Sequence, residues 1–228
     1  MHELVLILDF GSQYTQLIAR RIREEQVYCR IERSDLSATE IQSMGAKALV
    51  LSGGPNSIFE EQAPQVDPAI FELGIPILGV CYGLQIMTQH FKGNVIPGET
   101  REYGPMGIQF PTQSPLLEGV SEGSQVWMSH GDHVETIPEN FNIIARSSGD
   151  LIAGISNQSK ALYGVQFHPE VNHTVQGQTI ISNFLFKIAD FSRDWTSSSF
   201  VEDAIKEIQT TVGDGKVLLG LSGGVDSS

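Results

Sequence analysis

The sequence predicts an α/β protein with an open, mostly parallel sheet flanked by helices and extended by antiparallel strands. Across residues 4–91, near-continuous apolar segments alternate with segments of helical spacing. Strands that are covered by helices on both faces are apolar throughout, so this alternation favours a parallel sheet. Across residues 93–170, short strand-like segments separated by Gly, Ser, Asn and Pro replace the alternation, which favours antiparallel additions.

The first half of the chain contains four predicted strands and four predicted helical segments. The strands are LVLILDF (4–10), VYCRIER (27–33), KALVLSG (47–53) and IPILGV (75–80). The helical segments cover residues 15–26, a short segment after Ser37, a short stretch between the third and fourth strands, and residues 84–91. Ser37 and Glu40 have the spacing of a capping box, which marks the start of the short helix.

The second half is predicted to contain five strands, a closing helix and a separate C-terminal segment. The strands are IQFPT (108–112), QVWMSHG (125–131), NIIARSS (142–148), LIAGISN (151–157) and ALYGVQF (161–167). Residues 177–190 have helical spacing, residues 196–199 form a Ser/Thr-rich break, an amphipathic helix covers 201–212, and KVLLGL (216–221) is apolar like a buried strand. We therefore predict one domain over residues 1–192, and a linker with the start of a second domain over 193–228.

Composition argues against several classes of protein. The 228 residues carry a net charge of −13, whereas a protein that binds the nucleic-acid backbone is typically basic, so we expect no nucleic-acid partner. No stretch reaches the roughly 18 apolar residues of a membrane span, and the N-terminus lacks the basic region of a secretory signal. We therefore expect a cytoplasmic protein without a membrane partner. Its two cysteines, Cys29 and Cys81, are too few for a disulfide framework.

Cys81 is the candidate nucleophile. It is the centre of Gly79-Val80-Cys81-Tyr82-Gly83, which has the G-x-nucleophile-x-G pattern of a nucleophile elbow with sulfur in place of oxygen. Glycines permit the tight turn, and the N-terminus of the following helix favours a thiolate. The Tyr82 amide is positioned to donate to an oxyanion. Cys29 lies in a strand without glycines, so we interpret it as a core residue.

His168 and Glu170 are the candidate base and orienting acid. His168 follows the strand-like GVQF (164–167) and precedes Pro169 and Glu170. In an extended chain, residues i and i+2 lie on the same side, so Glu170 can orient the imidazole while His168 accepts the thiol proton. The α/β-hydrolases have the order nucleophile, acid, histidine, so the order found here counts against an esterase.

Residues 52–55 are the candidate source of a second oxyanion donor. Ser52-Gly53-Gly54-Pro55 ends the third predicted strand, and glycines let the main chain approach a substrate closely. A tight turn without a catalytic role would have the same residues.

Three segments together resemble the class I glutamine amidotransferases: SGGP (52–55), GVCYGLQ (79–85) and GVQFHPE (164–170). The resemblance covers roughly residues 3–190. It implies the fold of that family and a reaction in which Cys81 attacks the side-chain amide of glutamine. Ammonia then leaves, and water hydrolyses the glutamyl thioester to glutamate.

The resemblance also implies a role for each matching residue. Cys81, His168 and Glu170 would be catalytic; the amides of Gly54 and Tyr82 would form the oxyanion hole; Gln85, Ser129, Gly131 and Asp132 would bind glutamine. It implies neither a metal ion nor a cofactor for the glutaminase reaction.

The C-terminal residues resemble a different kind of site. Ser222-Gly223-Gly224-Val225-Asp226-Ser227-Ser228 is similar to the pyrophosphate-binding loop of N-type ATP pyrophosphatases, and it lacks the Gly-Lys-Ser/Thr of a Walker A loop. The resemblance implies that these seven residues bind ATP. Residues 8–24, 127–132 and 168–177 match family members in which a second domain uses ATP and Mg²⁺ to activate XMP, which ammonia converts to GMP. This resemblance implies a longer, homodimeric enzyme that continues past Ser228.

Three alternatives stay open at this point. The chain could be the glutaminase of another class I enzyme, such as those that make CTP, carbamoyl phosphate or anthranilate. It could be a binding module that kept the fold without catalysis. It could be a cysteine hydrolase of peptides or esters.

Overall fold

A computed structural model describes residues 2–218 of the chain. The chain divides into two compact units, Met1–Asp194 and Trp195–Ser228. In the described range, no helix combines the length and the apolar character that crossing a membrane requires. The assignment of the second unit to an ATP pyrophosphatase domain stays a prediction.

A nine-stranded sheet forms the centre of the first unit. The strands are β1 Leu4–Asp9, β2 Tyr28–Arg33, β3 Ala46–Leu51, β4 Ile77–Val80, β5 Asn94–Gln109, β6 Gln125–Thr136, β7 Asn142–Ser147, β8 Ile152–Asn157 and β9 Leu162–Val165. Their order is β2-β1-β3-β4-β9-β8-β7-β5-β6. The five strands from β2 to β9 are parallel, and every neighbouring pair from β9 to β6 is antiparallel. The predicted fold class is confirmed.

Helices cover both faces of the sheet. They are α1 Thr15–Glu24, α2 Ala38–Ser43, α3 Tyr82–His90 and α4 Gly177–Asn183. The second unit contains a separate helix, α5 Ser197–Val212. A π-helix, Phe184–Ile188, follows α4 directly. The predicted capping box starts α2: the Glu40 amide donates to Ser37 Oγ at 3.2 Å, and the Ser37 amide donates to Glu40 Oε2 at 2.8 Å.

Strand β1 shows why the parallel strands are apolar on both sides. Val5 and Ile7 pack in one hydrophobic cluster with Ile18 of α1. Leu6 and Leu8 pack in the other cluster, on the opposite face. Each such buried side chain contributes about 1.5–3 kcal/mol to the stability of the fold. Because both faces of the strand are buried, polar and apolar residues do not alternate along it.

Two strand predictions need correction. Only residues 108–112 were predicted to be extended at the start of the second half, but β5 begins at Asn94. Pro97 weakens the strand pattern, and a register shift between Pro97 and Glu102 lets β5 pair with β6 despite it. The last of the segments predicted to be antiparallel, β9, pairs with β8 in that way but with β4 in parallel.

The second unit also differs from the prediction. Helix α5 begins at Ser197, within the segment predicted as a break. Residues 216–218 of the predicted strand 216–221 have no regular structure. The rest of that segment and the predicted ATP-binding residues 222–228 lie outside the described residues.

Candidate active site

Cys81 lies at a strained turn between β4 and α3. Its backbone has φ 51° and ψ −102°, a conformation that costs a residue other than glycine on the order of 1–3 kcal/mol. A Cβ at Gly79 would lie 2.7 Å from the Gly83 carbonyl carbon, and a Cβ at Gly83 would lie 2.4 Å from the Leu51 oxygen. Both glycines are therefore needed for α3 to begin directly against the ends of β3 and β4.

The structure brings Cys81, His168 and Glu170 together. Val80 and Val165 are partners in the parallel pairing of β4 and β9, so the residues that follow both strands meet at one edge of the sheet. His168 Nδ1 lies 2.8 Å from Glu170 Oε1, and His168 and Cys81 lie side by side, both next to Gly53 and both in the wall of one cavity. Because Glu170 occupies Nδ1, Nε2 is the ring nitrogen available to the sulfur.

Charge and burial act in opposite directions on His168. Burial alone would lower its pKa, because it disfavours the imidazolium. The Glu170 carboxylate and the neighbouring Cys81 side chain outweigh burial, so the pKa of His168 lies well above its ordinary value. The arrangement therefore favours an imidazolium next to the sulfur.

The backbone of His168 is fixed to β6. Its amide donates to the Trp127 oxygen at 3.0 Å, and its carbonyl accepts a hydrogen bond from Thr174 Oγ1 at 2.6 Å. The Trp127 amide donates to the same Thr174 oxygen at 3.0 Å. The ring of Tyr14 meets the imidazole edge-on, with the ring centres 5.0 Å apart. The imidazole is thus restrained from two sides.

Arg21 of α1 holds the segment that carries Glu170. Its Nε donates to the Glu170 carbonyl oxygen at 3.0 Å, and its Nη2 donates to Asn172 Oδ1 at 2.6 Å. Sequence reasoning missed Arg21, Tyr14 and Thr174. No local pattern could identify them, because their contacts depend on the packing of α1 and β6 against β9.

A cavity of about 550 Å³ opens over Cys81. All four predicted glutamine-binding residues line it: Gln85, Ser129, Gly131 and Asp132. Pro55 and His130, which belong to the predicted segments 52–55 and 129–132, also line it. The lining residues that were not predicted are Gly11, Ser12, Gln13, Tyr14, Asn56, Ser57, Glu60 and Tyr103. The loop after β1 could have been anticipated, since ligands bind at the carboxyl ends of parallel strands.

Gly53 and Gly54 lie against the candidate nucleophile. A Cβ at Gly53 would approach His168 Cε1 to 3.0 Å and Cys81 Cβ to 3.7 Å. A Cβ at Gly54 would lie 2.9 Å from the Phe10 oxygen. Gly54 and Tyr82 both line the cavity beside Cys81. Their donation to an oxyanion stays a prediction.

Asp132 has a fixed position in the cavity. Ser57 Oγ donates to its Oδ2 at 2.6 Å, and Gln85 Nε2 donates to its backbone oxygen at 2.9 Å. With Glu60, it gives the cavity two acidic side chains. Such a wall suits a ligand with an ammonium group, which an amino acid carries.

His130, which lines the cavity, forms a buried pair with Glu102. His130 Nδ1 lies 3.0 Å from the Asp132 oxygen, and its Nε2 lies 3.4 Å from Glu102 Oε2. A carbonyl oxygen only accepts, so Nδ1 carries the proton. Burial lowers the pKa of His130 although Glu102 opposes the effect, and neither Nε2 nor Glu102 Oε2 has a hydrogen-bond partner.

Among the residues that the structure describes, no group of three or more His, Cys, Asp or Glu could hold a metal ion.

Comparison with known proteins agrees with this geometry. Residues 6–188 match the family model of the class-I glutamine amidotransferases. The chain is 50% identical over 226 residues to a GMP synthase [glutamine-hydrolyzing] of Clostridium novyi, and 51% identical to one of Caldanaerobacter subterraneus. In both cases the match covers 99% of this chain and 44% of the relative, so the chain spans under half the length of these relatives.

A solved structure has the same fold. A putative GMP synthase subunit from Thermoplasma acidophilum superposes with a TM-score of 0.75 at 28% sequence identity, covering 90% of this chain and 98% of that one. The family model covers most of the chain, including the elbow and the residues around Glu170. The chain therefore belongs to the class-I glutamine amidotransferase family.

Proposed function

We propose that this chain hydrolyses glutamine to glutamate and ammonia, as the glutaminase part of a glutamine-hydrolysing GMP synthase. The observation that carries the proposal is that Cys81 and His168 line one cavity, with Glu170 Oε1 2.8 Å from His168 Nδ1. The relatives of this name share half of their aligned residues with the chain.

Cys81 acts as the nucleophile. Its thiol proton passes to His168, and the sulfur attacks the side-chain amide carbon of glutamine. The amides of Gly54 and Tyr82 stabilise the negative oxygen of the tetrahedral intermediate. His168 returns the proton to the departing nitrogen, so ammonia leaves and a glutamyl thioester forms. His168 then takes a proton from water, the hydroxide attacks the thioester, and glutamate leaves as Cys81 regains the proton.

Asp132 and Gln85 select the substrate. The Asp132 carboxylate, held by Ser57, accepts a hydrogen bond from the α-ammonium group of glutamine. Gln85 keeps its amide nitrogen on the Asp132 backbone, which fixes the loop that carries Ser129 and Gly131. The substrate therefore lies between this loop and the elbow.

In the whole protein, the ammonia aminates XMP to GMP in purine nucleotide biosynthesis. The residues that complete this activity belong to an ATP pyrophosphatase domain that uses ATP and Mg²⁺, and Ser222 to Ser228 start its phosphate-binding loop. The glutaminase itself uses no cofactor. We place the enzyme in the cytoplasm and expect it to be a homodimer. The reducing cytoplasm keeps Cys81 in the thiol form, and both cysteines are free thiols.

Ammonia and glutamate release from glutamine test the first part of the proposal. We expect release from the wild-type chain and none from Cys81→Ala, with Cys29→Ala as the matched control that keeps activity. Equal release from wild type and Cys81→Ala would remove Cys81 from the mechanism. If the isolated chain is slow, a glutamine-like electrophile should label Cys81; a folded chain that neither releases ammonia nor reacts would support a binding module.

The acceptor is tested separately. The protein extended to the length of its relatives should form GMP from XMP, ATP and glutamine, and the 228-residue chain alone should not. Amination of another acceptor by the extended protein would favour a different class I amidotransferase.

A further inference from the structure

Gln166 approaches the Cys81 sulfur from the protein interior. Its side-chain Nε2 lies 3.6 Å from Cys81 Sγ, within the range for a hydrogen bond to sulfur. The residue is only 1% exposed, and it is not among the residues that line the cavity over Cys81. It therefore reaches the sulfur from within the protein and not from the cavity.

The amide of Gln166 has a defined orientation. Gln85 Nε2 lies 3.5 Å from Gln166 Oε1 and 2.9 Å from the Asp132 oxygen. Because a carboxamide oxygen only accepts and its nitrogen only donates, the contact with Gln85 directs the Gln166 nitrogen towards sulfur. The reversed amide would place an oxygen against the sulfur and an N–H against an N–H.

The backbone keeps Gln166 in this position. Its amide donates to the Ala153 oxygen at 2.9 Å, which extends the pairing of β9 with β8 by one residue. Residues i and i+2 of an extended chain lie on one side, so Gln166 and His168 both face Cys81, while the intervening Phe167 packs in the core. One short segment thus supplies two groups to the same sulfur.

We propose that Gln166 is a positioning residue whose side-chain N–H stabilises the ionised Cys81 sulfur and directs it at the substrate. The inference rests on the proposed function, since it assigns a role in activating the same nucleophile. The Ser129 carbonyl oxygen, 3.8 Å from the sulfur, only accepts and so supports the neutral thiol. The Gln166 N–H acts in the opposite direction and favours the Cys81 thiolate.

A series of hydrogen bonds, Asp132–Gln85–Gln166–Cys81, also connects the loop that carries Ser129 and Asp132 with the nucleophile. Each step is a hydrogen bond between groups that are fixed by the fold.

The rate of Cys81 alkylation by iodoacetamide, followed across pH and located by peptide mass spectrometry, tests the inference. Gln166→Met keeps an unbranched side chain without the donor, and Gln166→Glu keeps the acceptor for Gln85 but replaces the N–H by oxygen. We expect both to move the alkylation midpoint to higher pH, with Glu shifting it more. At neutral pH the reaction should slow by roughly tenfold or more, as for loss of a hydrogen bond to a charged group.

Controls separate this effect from general damage. Gln109→Met changes an exposed glutamine of β5 and should leave the profile unchanged. Circular dichroism and denaturant unfolding establish that each variant is folded, and one folded variant suffices for the test. Profiles that coincide with wild type would overturn the inference alone, whereas an unreactive Cys81 in the wild-type protein would overturn the proposed function as well.

Discussion

Gly83 in the first turn of α3 lies directly against Leu51 at the end of β3. A Cβ at Gly83 would be 2.4 Å from the Leu51 carbonyl oxygen and 2.6 Å from its Cβ. Atoms of the backbone cannot move aside as a flexible side chain can. The position of the helix above the sheet, and with it the direction of Cys81, depends on this contact.

Gly83→Ala should therefore be strongly destabilising. We expect a loss of about 2–4 kcal/mol in the free energy of unfolding, because the methyl group forces α3 away from β3. Urea unfolding measures the change. Gly107→Ala is the control, since its Cβ would approach nothing closer than 3.4 Å, and it should cost less than about 1 kcal/mol. Similar losses for the two variants would contradict the close contact.

Cys81→Gly and Cys81→Ala should differ in stability. Both remove the sulfur, but only glycine adopts φ 51° and ψ −102° without strain. We expect the glycine variant to be more stable than the alanine variant by about 1 kcal/mol, after the greater flexibility of unfolded glycine is included. Thermal and urea unfolding of the two inactive variants measure this directly. An alanine variant that is the more stable would show that the turn carries no strain.

The effect of Glu170→Gln on stability should depend on pH. Folding raises the pKa of His168, so the stabilisation is fully present below the ordinary histidine pKa of about 6.5 and is lost as pH rises through the folded value. Removing the Glu170 charge lowers that folded value. We expect the variant to lose more stability at about pH 6 than at about pH 10, as measured by urea unfolding. A difference that grows with pH would contradict the charged pair.

Ser57→Ala should weaken glutamine binding more than it slows catalysis. The hydroxyl that holds Asp132 Oδ2 at 2.6 Å is lost, and the carboxylate is free to turn away from the cavity. We expect KM for glutamine to rise roughly five- to tenfold with kcat changed less than about twofold. Ser159→Ala, which removes a hydroxyl bonded to Asn157, is the control and should change neither constant. A fall in kcat with constant KM would place Ser57 in the chemical step instead.

Glu102→Gln should stabilise the protein. With a proton on Nδ1 and a lowered pKa, His130 presents a bare Nε2 to Glu102 Oε2, and neither atom has a partner. The amide nitrogen that the substitution introduces can donate there, and the amide oxygen can still accept from Ser147 Oγ, which lies 2.8 Å from Glu102 Oε1. We expect a gain of about 1 kcal/mol near neutral pH, seen as a higher Tm. A loss of stability would indicate a charged His130.

The sequence predicted the parts of the site that depend on local geometry. The elbow at Cys81 follows from the glycines around it, and the pairing of His168 with Glu170 follows from the alternation of an extended chain. The parallel strands were predictable because β1 is apolar on both faces. These features need only residues that are close in sequence.

Contacts between distant segments were not predictable in the same way. Tyr14 meets His168, and Ser57 meets Asp132, only after the loops that follow β1 and β3 reach the same edge of the sheet. The length of β5 was missed because Pro97 obscures its pattern, while pairing with β6 overrides the local preference. Packing between elements decides such features.

The place of β9 in the sheet has a consequence for the order of events during synthesis. Translation delivers β4 and the nucleophile early, yet their neighbour on one side, β9, begins only at Leu162 and carries the base behind it. The place between β4 and β8 in the sheet is therefore filled by the last strand to be made. Contacts between residues so far apart in sequence form slowly, so the pairing of β4 with β9 is a slow step. A nascent chain would display a thiol without its proton acceptor until nearly the whole unit has left the ribosome. Under the proposed function, such a chain could release no ammonia before β9 has brought His168 beside Cys81.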